Sequence, residues 1–365
     1  MSDHSDKKKG ENANPSKPAW EVTNISKGKV PAKFIHTTST ETENSSILAV
    51  PIVNSHKIST IIATRPDGTK PIAQAKALEL RYPAEKYEII IARGKQPSVQ
   101  RNRALQNSSG DLIYFLDDDS LPSAENLLRA AVHFAPLDVQ IVGGPNLCPT
   151  EAPSLEQAFA AAMGNKLAFG PSAARYRQIG KIRETSEKEL ILCNMMVRKS
   201  TLLKHGGFDE ALYPNEENAL MDDIQKAGGK LIYDPDFVVY RRPRGSLGAF
   251  IKMLMNYGRG RAEQFRLHPT FGSAANFVPP LFCAYLLSLP FLPQWGFVPL
   301  ALYALIVALQ IFSPGVVARC HLVLPLITIC HIFYGLGFWR GLFTRLKPKD
   351  KPSNIEVTLE TISPA

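Results

Sequence analysis

Gly110-Asp111-Leu112-Ile113-Tyr114-Phe115-Leu116-Asp117-Asp118-Asp119 is the stretch that decides the fold class. A continuous apolar run, Leu112 to Leu116, ends abruptly in three carboxylates. So short and unbroken a run reads as a strand buried on both faces, as in parallel sheets. The carboxylates then lie at the strand's carboxyl end, outside which open α/β sheets bind ligands. Three adjacent carboxylates repel one another, and a divalent cation relieves the conflict. Asp117 and Asp119, at i and i+2, present oxygens to one side, and hard oxygens suit Mg²⁺ or Mn²⁺. The plainer alternative is a solvated acidic turn that caps the next helix, with Ser120 or Ser123 as further caps. The position at the end of a buried strand favours the metal.

The same alternation extends outward. Residues 57–64 are a β-branched run stopped by Arg65-Pro66-Asp67-Gly68, a strand followed by a loop. Residues 71–81 carry Ile72, Ala75, Leu78 and Leu80 near helical spacing. Residues 87–92 form a second strand broken by Arg93-Gly94. Helices follow at 98–106 and 123–134, and a strand at 139–142. This alternation predicts an α/β layer with a mainly parallel sheet and flanking helices. Further on, 155–167 reads as a helix, 190–197 as a strand and 200–205 as a short helix. Residues 216–227 read as a helix closed by Gly228-Gly229. Short strands at 230–233 and 237–240 precede a basic amphipathic helix, 246–264, with Phe250, Met253, Leu254 and Tyr257 on one face.

Composition divides the 365 residues into unlike parts. The average, 45% hydrophobic and 21% charged, excludes a wholly disordered or collagen-like chain. Residues 1–56 are polar and aperiodic and read as a disordered tether. Lys7-Lys8-Lys9 has no apolar stretch behind it, so no signal peptide is expected. From Leu267 to Trp339 the only formally charged residue is Arg319. Three apolar blocks there, 277–292, 297–312 and 322–339, are near the lower length limit for crossing a bilayer. The expected division is the tether, a globular domain over 57–266, membrane-embedded helices over 267–346 and a polar tail over 347–365.

Lys and Arg exceed Asp and Glu by nine. Residues 241–266 hold seven basic residues against Glu263, and 340–351 hold five against Asp350. Basic clusters flanking an apolar block mark a cytoplasmic membrane face. The partner they imply is membrane lipid, not nucleic acid, for which basic and aromatic residues would be interleaved on a soluble surface. Arg319 and the 340–351 cluster both belong in the cytoplasm by this rule. Two crossings are therefore expected, with the third block re-entrant or interfacial; three plain crossings are the alternative. Cys148, Cys193, Cys283, Cys320 and Cys330 are far apart, form neither a disulfide framework nor a zinc site, and suit a reducing compartment.

Two more groups bear on chemistry. Gln100-Arg101-Asn102-Arg103 lies on a helix, and an arginine fork there can hold phosphate oxygens. Asn215-Glu216-Glu217-Asn218 opens a helix, where the macrodipole favours carboxylates and where a carboxylate can take a proton from an attacking hydroxyl. A solvated helix face and a charged helix start are the plainer readings of these two groups.

In this order, the strand at 58–64, Arg101-Asn102-Arg103-Ala104-Leu105, Gly110 to Asp119, Asn194-Met195-Met196-Val197-Arg198, Gly206-Gly207-Phe208-Asp209-Glu210 and Asn215-Glu216-Glu217 resemble the family 2 glycosyltransferases. These are inverting enzymes with a nucleotide-sugar-binding, Rossmann-like α/β fold of GT-A type. Arg242-Pro243-Arg244-Gly245-Ser246-Leu247 and Tyr257-Gly258-Arg259-Gly260-Arg261, followed by the apolar tail, resemble the membrane-anchored branch that builds exopolysaccharides such as succinoglycan.

The resemblance implies a catalytic domain over 57–266, facing the cytoplasm from its membrane. It implies transfer of a sugar from a nucleotide-diphosphate sugar, a UDP-sugar first, to a hydroxyl on a lipid-linked or glycan acceptor. It puts Asp117 and Asp119 on the metal, Glu217 in the place of the base with Glu216 beside it, and Thr64, Arg65, Arg101, Asp118, Arg259 and Arg261 around the nucleotide diphosphate. There are departures. The family's acid after the second strand is replaced by Ala92-Arg93-Gly94, and Glu217 stands for the more usual Asp. The Gln-x-x-Arg-Trp motif of processive synthases is absent, which predicts addition of a single sugar. The rival reading is a non-catalytic membrane-anchored binder of sugar nucleotide or anionic lipid.

Overall fold

The computed structural model describes residues 56–212, 215–267, 269, 271–313, 319–346 and 355–364. The expected tether, apart from His56, lies outside these residues. In chain order the elements are β1 (Ile58–Thr64), α1 (Ile72–Leu78), β2 (Tyr87–Arg93), α2 (Pro97–Asn107), β3 (Leu112–Asp117), β4 (Leu121–Pro122), α3 (Asn126–His133), β5 (Val139–Gly143), β6 (Asn146–Leu147), α4 (Ser154–Met163) and α5 (Lys166–Phe169). They continue with β7 (Arg183–Thr185), β8 (Met195–Arg198), α6 (Lys199–Lys204), α7 (Glu216–Lys226), β9 (Lys230–Tyr233), β10 (Val239–Tyr240), α8 (Leu247–Leu267), α9 (Val278–Ser288), α10 (Val298–Leu309), α11 (Cys320–Phe343) and β11 (Thr358–Ile362).

Eight strands form one sheet in the order β11-β2-β1-β3-β8-β5-β9-β7. β1, β2, β3, β5 and β9 run one way, so the sheet is mainly parallel, while β7, β8 and β11 run against them. Period-two alternation sorts the strand side chains onto two faces. Ile61, Ile90, Ile113 and Phe115 enter one core, covered by Ala104 and Leu105 of α2 and by Leu220, Met221 and Ile224 of α7. Ile58, Ile62, Ile89, Leu112, Tyr114 and Leu116 enter the other, covered by Ala73 and Ala77 of α1 and by Leu127 and Ala130 of α3. Each large side chain buried this way contributes about 1.5–3 kcal/mol. The carboxyl ends of β1, β2 and β3 share one edge of the sheet, and Asp117 is the last residue of β3.

Beyond β4, β6 and β7, which the sequence reading did not include, and the strand read over 237–240, which is only Val239–Tyr240, two strands differ from expectation. The strand read over 190–197 begins only at Met195, because Leu192–Asn194 turn in a 3₁₀ segment. Asn194, the last residue of that turn, is tied to the surrounding elements. Its buried side chain accepts from the Tyr114 hydroxyl at 2.9 Å and donates to the carbonyls of Pro145 and Phe237, at 3.2 and 2.5 Å. The second difference is the end of the tail. Residues 347–354 lie outside the described residues, but Thr358–Ile362 add β11 antiparallel to the edge of β2. Val357 and Leu359 pack on one core and Ile362 on the other.

Three candidate membrane spans, Ala274–Phe291, Gln294–Phe312 and His321–Phe343, match the three apolar blocks. The third differs from the others: 39% of it is buried, against 17% and 11%. It packs with α4 and α8 around Phe159, Phe250, Leu254, Val323 and Ile327, and Phe159 and Phe250 stack at 4.3 Å. Glycines let the α8 and α11 backbones touch, the way small residues pair membrane helices. A Cβ on Gly258 would meet the Tyr334 carbonyl at 2.0 Å, and one on Gly337 the Met255 carbonyl at 2.2 Å. Gly258→Val is therefore expected to force the helices apart at a cost of about 1–3 kcal/mol or more, visible as a lower melting temperature in detergent. Gly248→Val, where an added Cβ meets nothing within 4 Å, is expected to change it far less.

Candidate active site

The site grows from the end of β3. Burial works to raise the Asp117 carboxyl, but Arg241 and then Arg101 hold it below the usual carboxylate range. Arg101 Nη2 meets Asp117 Oδ1 at 2.9 Å and Arg241 Nη1 meets Oδ2 at 2.9 Å. Arg241 also meets Asp119 Oδ1 through Nε at 2.5 Å. Asp118 is the contrasting member: burial, then Asp119 and Asp117, push its carboxyl up. Thr64, the last residue of β1, donates to Asp118 Oδ2 at 3.5 Å. Arg65 is exposed in the loop that follows.

This geometry tests the expected metal. Both Asp117 oxygens meet guanidinium groups, so Asp117 would ligate a metal directly only by sharing or giving up one of these pairs. Asp119 fits: its side chain is 44% exposed and Oδ2 carries no contact among those described. The oxygen chemistry suits Mg²⁺ or Mn²⁺, which take one or two carboxylates with phosphate oxygens and water. Among the described residues no three His, Cys, Asp or Glu side chains form a cluster that could hold a metal unaided.

Arg101, expected near the diphosphate, is instead buried between Asp117 and the start of α7, its Nη1 3.3 Å from Glu216 Oε1. Gln100, its neighbour on α2, entered the sequence reading only as part of the group at 100–103, with no role of its own. Its amide donates to the carbonyls of Thr64 and Ala92, at 2.7 and 2.6 Å, and laces the ends of β1 and β2 together.

Adjacent residues of a helix point about 100° apart, and at the start of α7 this separates the glutamates. Glu216 turns inward to Arg101, 2% exposed, with Oε2 lacking a partner. Burial, followed by the charge of Glu217, pushes its carboxyl up to about 7. Glu217 is half-buried, accepts from Asn218 Nδ2 at 3.1 Å, and lines a cavity of about 400 Å³. The cavity wall includes Arg175, Tyr176, Asn218 and Arg261 on the domain side and Val278, Pro279, His331 and Tyr334 on the apolar side. None of Asp117, Asp118 and Asp119 lines it.

A carboxyl raised by folding binds more protons in the native state, so its contribution to stability is lost as pH rises between its ordinary value near 4.5 and about 7. The melting temperature of Glu216→Gln relative to the natural chain is therefore expected to rise from pH 5 to pH 8. A difference independent of pH would contradict the shift.

The two basic residues of α8 part company. Arg261 reaches the cavity, with Nη2 3.1 Å from Asn218 Oδ1. Arg259 does not: it pairs with Glu263 at 3.6 Å and lies beside Ala211, Leu212 and Leu267. Two functional-site arginines escaped individual notice in the sequence. Arg241, just after β10, was visible only as part of the basic count. Arg175 lies in a 3₁₀ segment, Gly170–Arg175, that carries no motif.

No protein-family profile matches the chain. It is 28% identical over 196 residues to the pre-mycofactocin glycosyltransferase of Mycobacterium tuberculosis, in two strains, covering 48% of this chain and 36% of that protein. The chain thus spans about a third of the length of these relatives. In three dimensions it is similar to the mannosyltransferase PcManGT from Pyrobaculum calidifontis, solved with GDP-Man and Mn2+. The TM-score is 0.54 at 16% identity, over 79% of this chain and 87% of that one. A weaker likeness, with a TM-score of 0.40 at 13% identity, is to S. aureus TarS 1-349 with UDP, over 83% of this chain and 96% of that one. The α/β part has the GT-A-type fold that the sequence motifs implied.

Proposed function

We propose that the chain is an inverting glycosyltransferase that moves a sugar from a nucleotide-diphosphate sugar, a UDP-sugar first, to a hydroxyl of a lipid-linked or glycan acceptor in cell-surface polysaccharide synthesis. The observation that carries this reading is the split of the α7 carboxylates. Glu216 faces the Arg101–Asp117 side, and Glu217 opens on a separate cavity. The donor occupies the first side, against Thr64, Asp118 and Asp119, and the acceptor occupies the cavity.

The acceptor oxygen attacks the anomeric carbon, and its proton passes to Glu217. The bond from that carbon to the diphosphate oxygen breaks, and its electron pair leaves with the nucleoside diphosphate. Asp119, with phosphate oxygens, would hold Mg²⁺ or Mn²⁺, which when bound neutralises charge on the leaving diphosphate. Asp117, fixed by Arg101 and Arg241, orients the turn that carries Asp118 and Asp119. The reaction adds one sugar and stops. A screen of labelled nucleotide sugars with extracted membrane lipid tests this reading. Labelled lipid product together with free nucleoside diphosphate is expected, and release from no nucleotide sugar would refute it.

The reading includes a membrane arrangement. α9 and α10 cross as a hairpin and α11 lies in the interface, with the globular domain in the cytoplasm. Three contacts support this. Arg319, before α11, donates to Gln157 of α4; Arg266, on α8, donates to the carbonyl of Gly341 near the other end of α11; and β11, after α11, pairs with β2. Both flanks of the apolar region thus meet the same domain, which supports an even number of crossings. A reporter fused after Ala365 is expected to give a cytoplasmic signal, and an extracytoplasmic signal would refute the arrangement.

A further inference from the structure

The end of the chain returns to the edge of the sheet where the proposed donor sits. β11 runs antiparallel to β2 with Thr358 opposite Arg93, so the residues that lead into it, Ile355 to Val357, pass beyond the carboxyl end of β2. Gly94 marks the close approach: a Cβ there would come within 3.4 Å of the Glu356 carbonyl and 2.9 Å of Gln100 Cγ. Arg93 ties the same corner together. Its Nη1 donates to the Thr69 carbonyl at 2.9 Å, and its Nη2 lies 3.7 Å from Glu360 Oε2.

Alternation fixes which way the side chains of this corner face. Ile58 and Ile62 of β1, Ile89 and Ile91 of β2 and Leu116 of β3 enter the core on the α1 side, which puts Thr64, Arg93 and Asp118 on that side of the edge. Val357 and Leu359 turn to the other core, which leaves Glu356 on the α1 side. Glu356 is exposed, and its carboxylate has no partner among the described contacts. The strands at this corner follow one another as β3, β1, β2 and β11, so three strand spacings, roughly 14 Å, separate the Asp triplet from the tail. A diphosphate at Asp119 that extends along this edge carries its nucleoside past Thr64 and Arg93 toward Glu356. In doubly wound sheets that bind dinucleotides, an acid beyond the first strand and helix takes the ribose hydroxyl, but β2 ends in Ala92-Arg93-Gly94 and offers none. We propose that Glu356 accepts from the ribose hydroxyls of the donor nucleotide, so that the returning end of the chain completes the donor site. The donor's role in transfer rests on the transferase reading; the nucleoside contact is measured without it.

The test uses the full chain in detergent micelles with Mn²⁺ and calorimetry with uridine and guanosine diphosphates and their 2′,3′-dideoxy forms. The better-bound diphosphate is expected to bind about tenfold more tightly than its dideoxy form, the worth of a hydrogen bond to a charged group. Glu356→Gln is expected to remove most of that preference, weakening the ribose form and leaving the dideoxy form nearly unchanged. Glu356→Asp, which keeps the carboxylate, should retain part of it. Glu184→Gln, the same charge change at an exposed position on β7 at the opposite edge of the sheet, should have no effect. The sign separates contact from charge: an acid that only stood near the diphosphate would repel it, so its removal would tighten both forms. Tighter binding in Glu356→Gln, equal loss for both forms, or an unchanged preference would overturn the proposal and leave β11 as a cover for the β2 edge. If neither diphosphate binds the natural chain, the proposal falls together with the donor reading. If sugar transfer occurs but the preference ignores Glu356, the proposal alone fails. If the preference follows Glu356 but no nucleotide sugar turns over, the transferase reading fails and the nucleoside site stands.

Discussion

Replacing Glu217 with glutamine is expected to lower turnover by about 10²–10⁴, the usual worth of a general base, with donor affinity nearly unchanged. The substitution keeps the shape of the side chain and its bond with Asn218 but removes the basic oxygen from the cavity. Glu216→Gln is the internal control. Glu216 is buried against Arg101 and does not line the cavity, so its loss is expected to change stability and its pH dependence more than turnover. Steady-state kinetics and donor titrations on the two variants separate the roles. Near-normal turnover in Glu217→Gln would remove it as the base, and a dead Glu216→Gln beside it would move the assignment one residue back.

Removal of divalent cations is the second large effect. Chelation is expected to abolish transfer, with Mg²⁺ or Mn²⁺ restoring it. The geometry divides the two expected ligands. Asp119→Ala is expected to weaken donor binding with the melting temperature little changed, because its carboxylate is partly exposed and has an unshared oxygen. Asp117→Asn is expected to act on the fold, because it breaks a half-buried bridge between Arg101 and Arg241. Breaking a fully buried pair costs about 3–5 kcal/mol, and less is expected here because the bridge is about a quarter exposed and each guanidinium keeps a second carboxylate. Donor titrations and melting curves with and without Mn²⁺ check the division. Full activity in excess chelator would refute the metal, and an unchanged melting point for Asp117→Asn would refute the bridging role.

The sequence displayed what depends on local pattern. The apolar run ending at Asp117 and the β-branched runs of β1 and β2 specified both the sheet and its functional edge, because strand burial imprints continuous hydrophobicity. The glutamate pair at the start of α7 was legible because carboxylates at a helix start are also a local pattern. What escaped depends on pairing across long separations. Arg241 is bound to Asp119 across 122 positions, and nothing in Tyr240-Arg241-Arg242-Pro243 distinguishes the arginine that turns to the Asp triplet from the one that pairs with Glu156 of α4. Arg101 was expected to face a ligand and faces Asp117 and Glu216 instead, a choice that turns on the rotation of α2 against β3. Arg259 and Arg261 look alike in sequence and take different sides of α8. β11 had a signal in Val357-Thr358-Leu359, but eight residues of polar chain before it read as a tail.

The central claim is a single displacement in which the acceptor hydroxyl attacks the face opposite the leaving diphosphate. The most direct measurement is the anomeric configuration of the transferred sugar, read by nuclear magnetic resonance on the product formed from a donor of known configuration. The account predicts inversion in the natural chain and loss of that product in Glu217→Gln. A product that keeps the donor's configuration would contradict it.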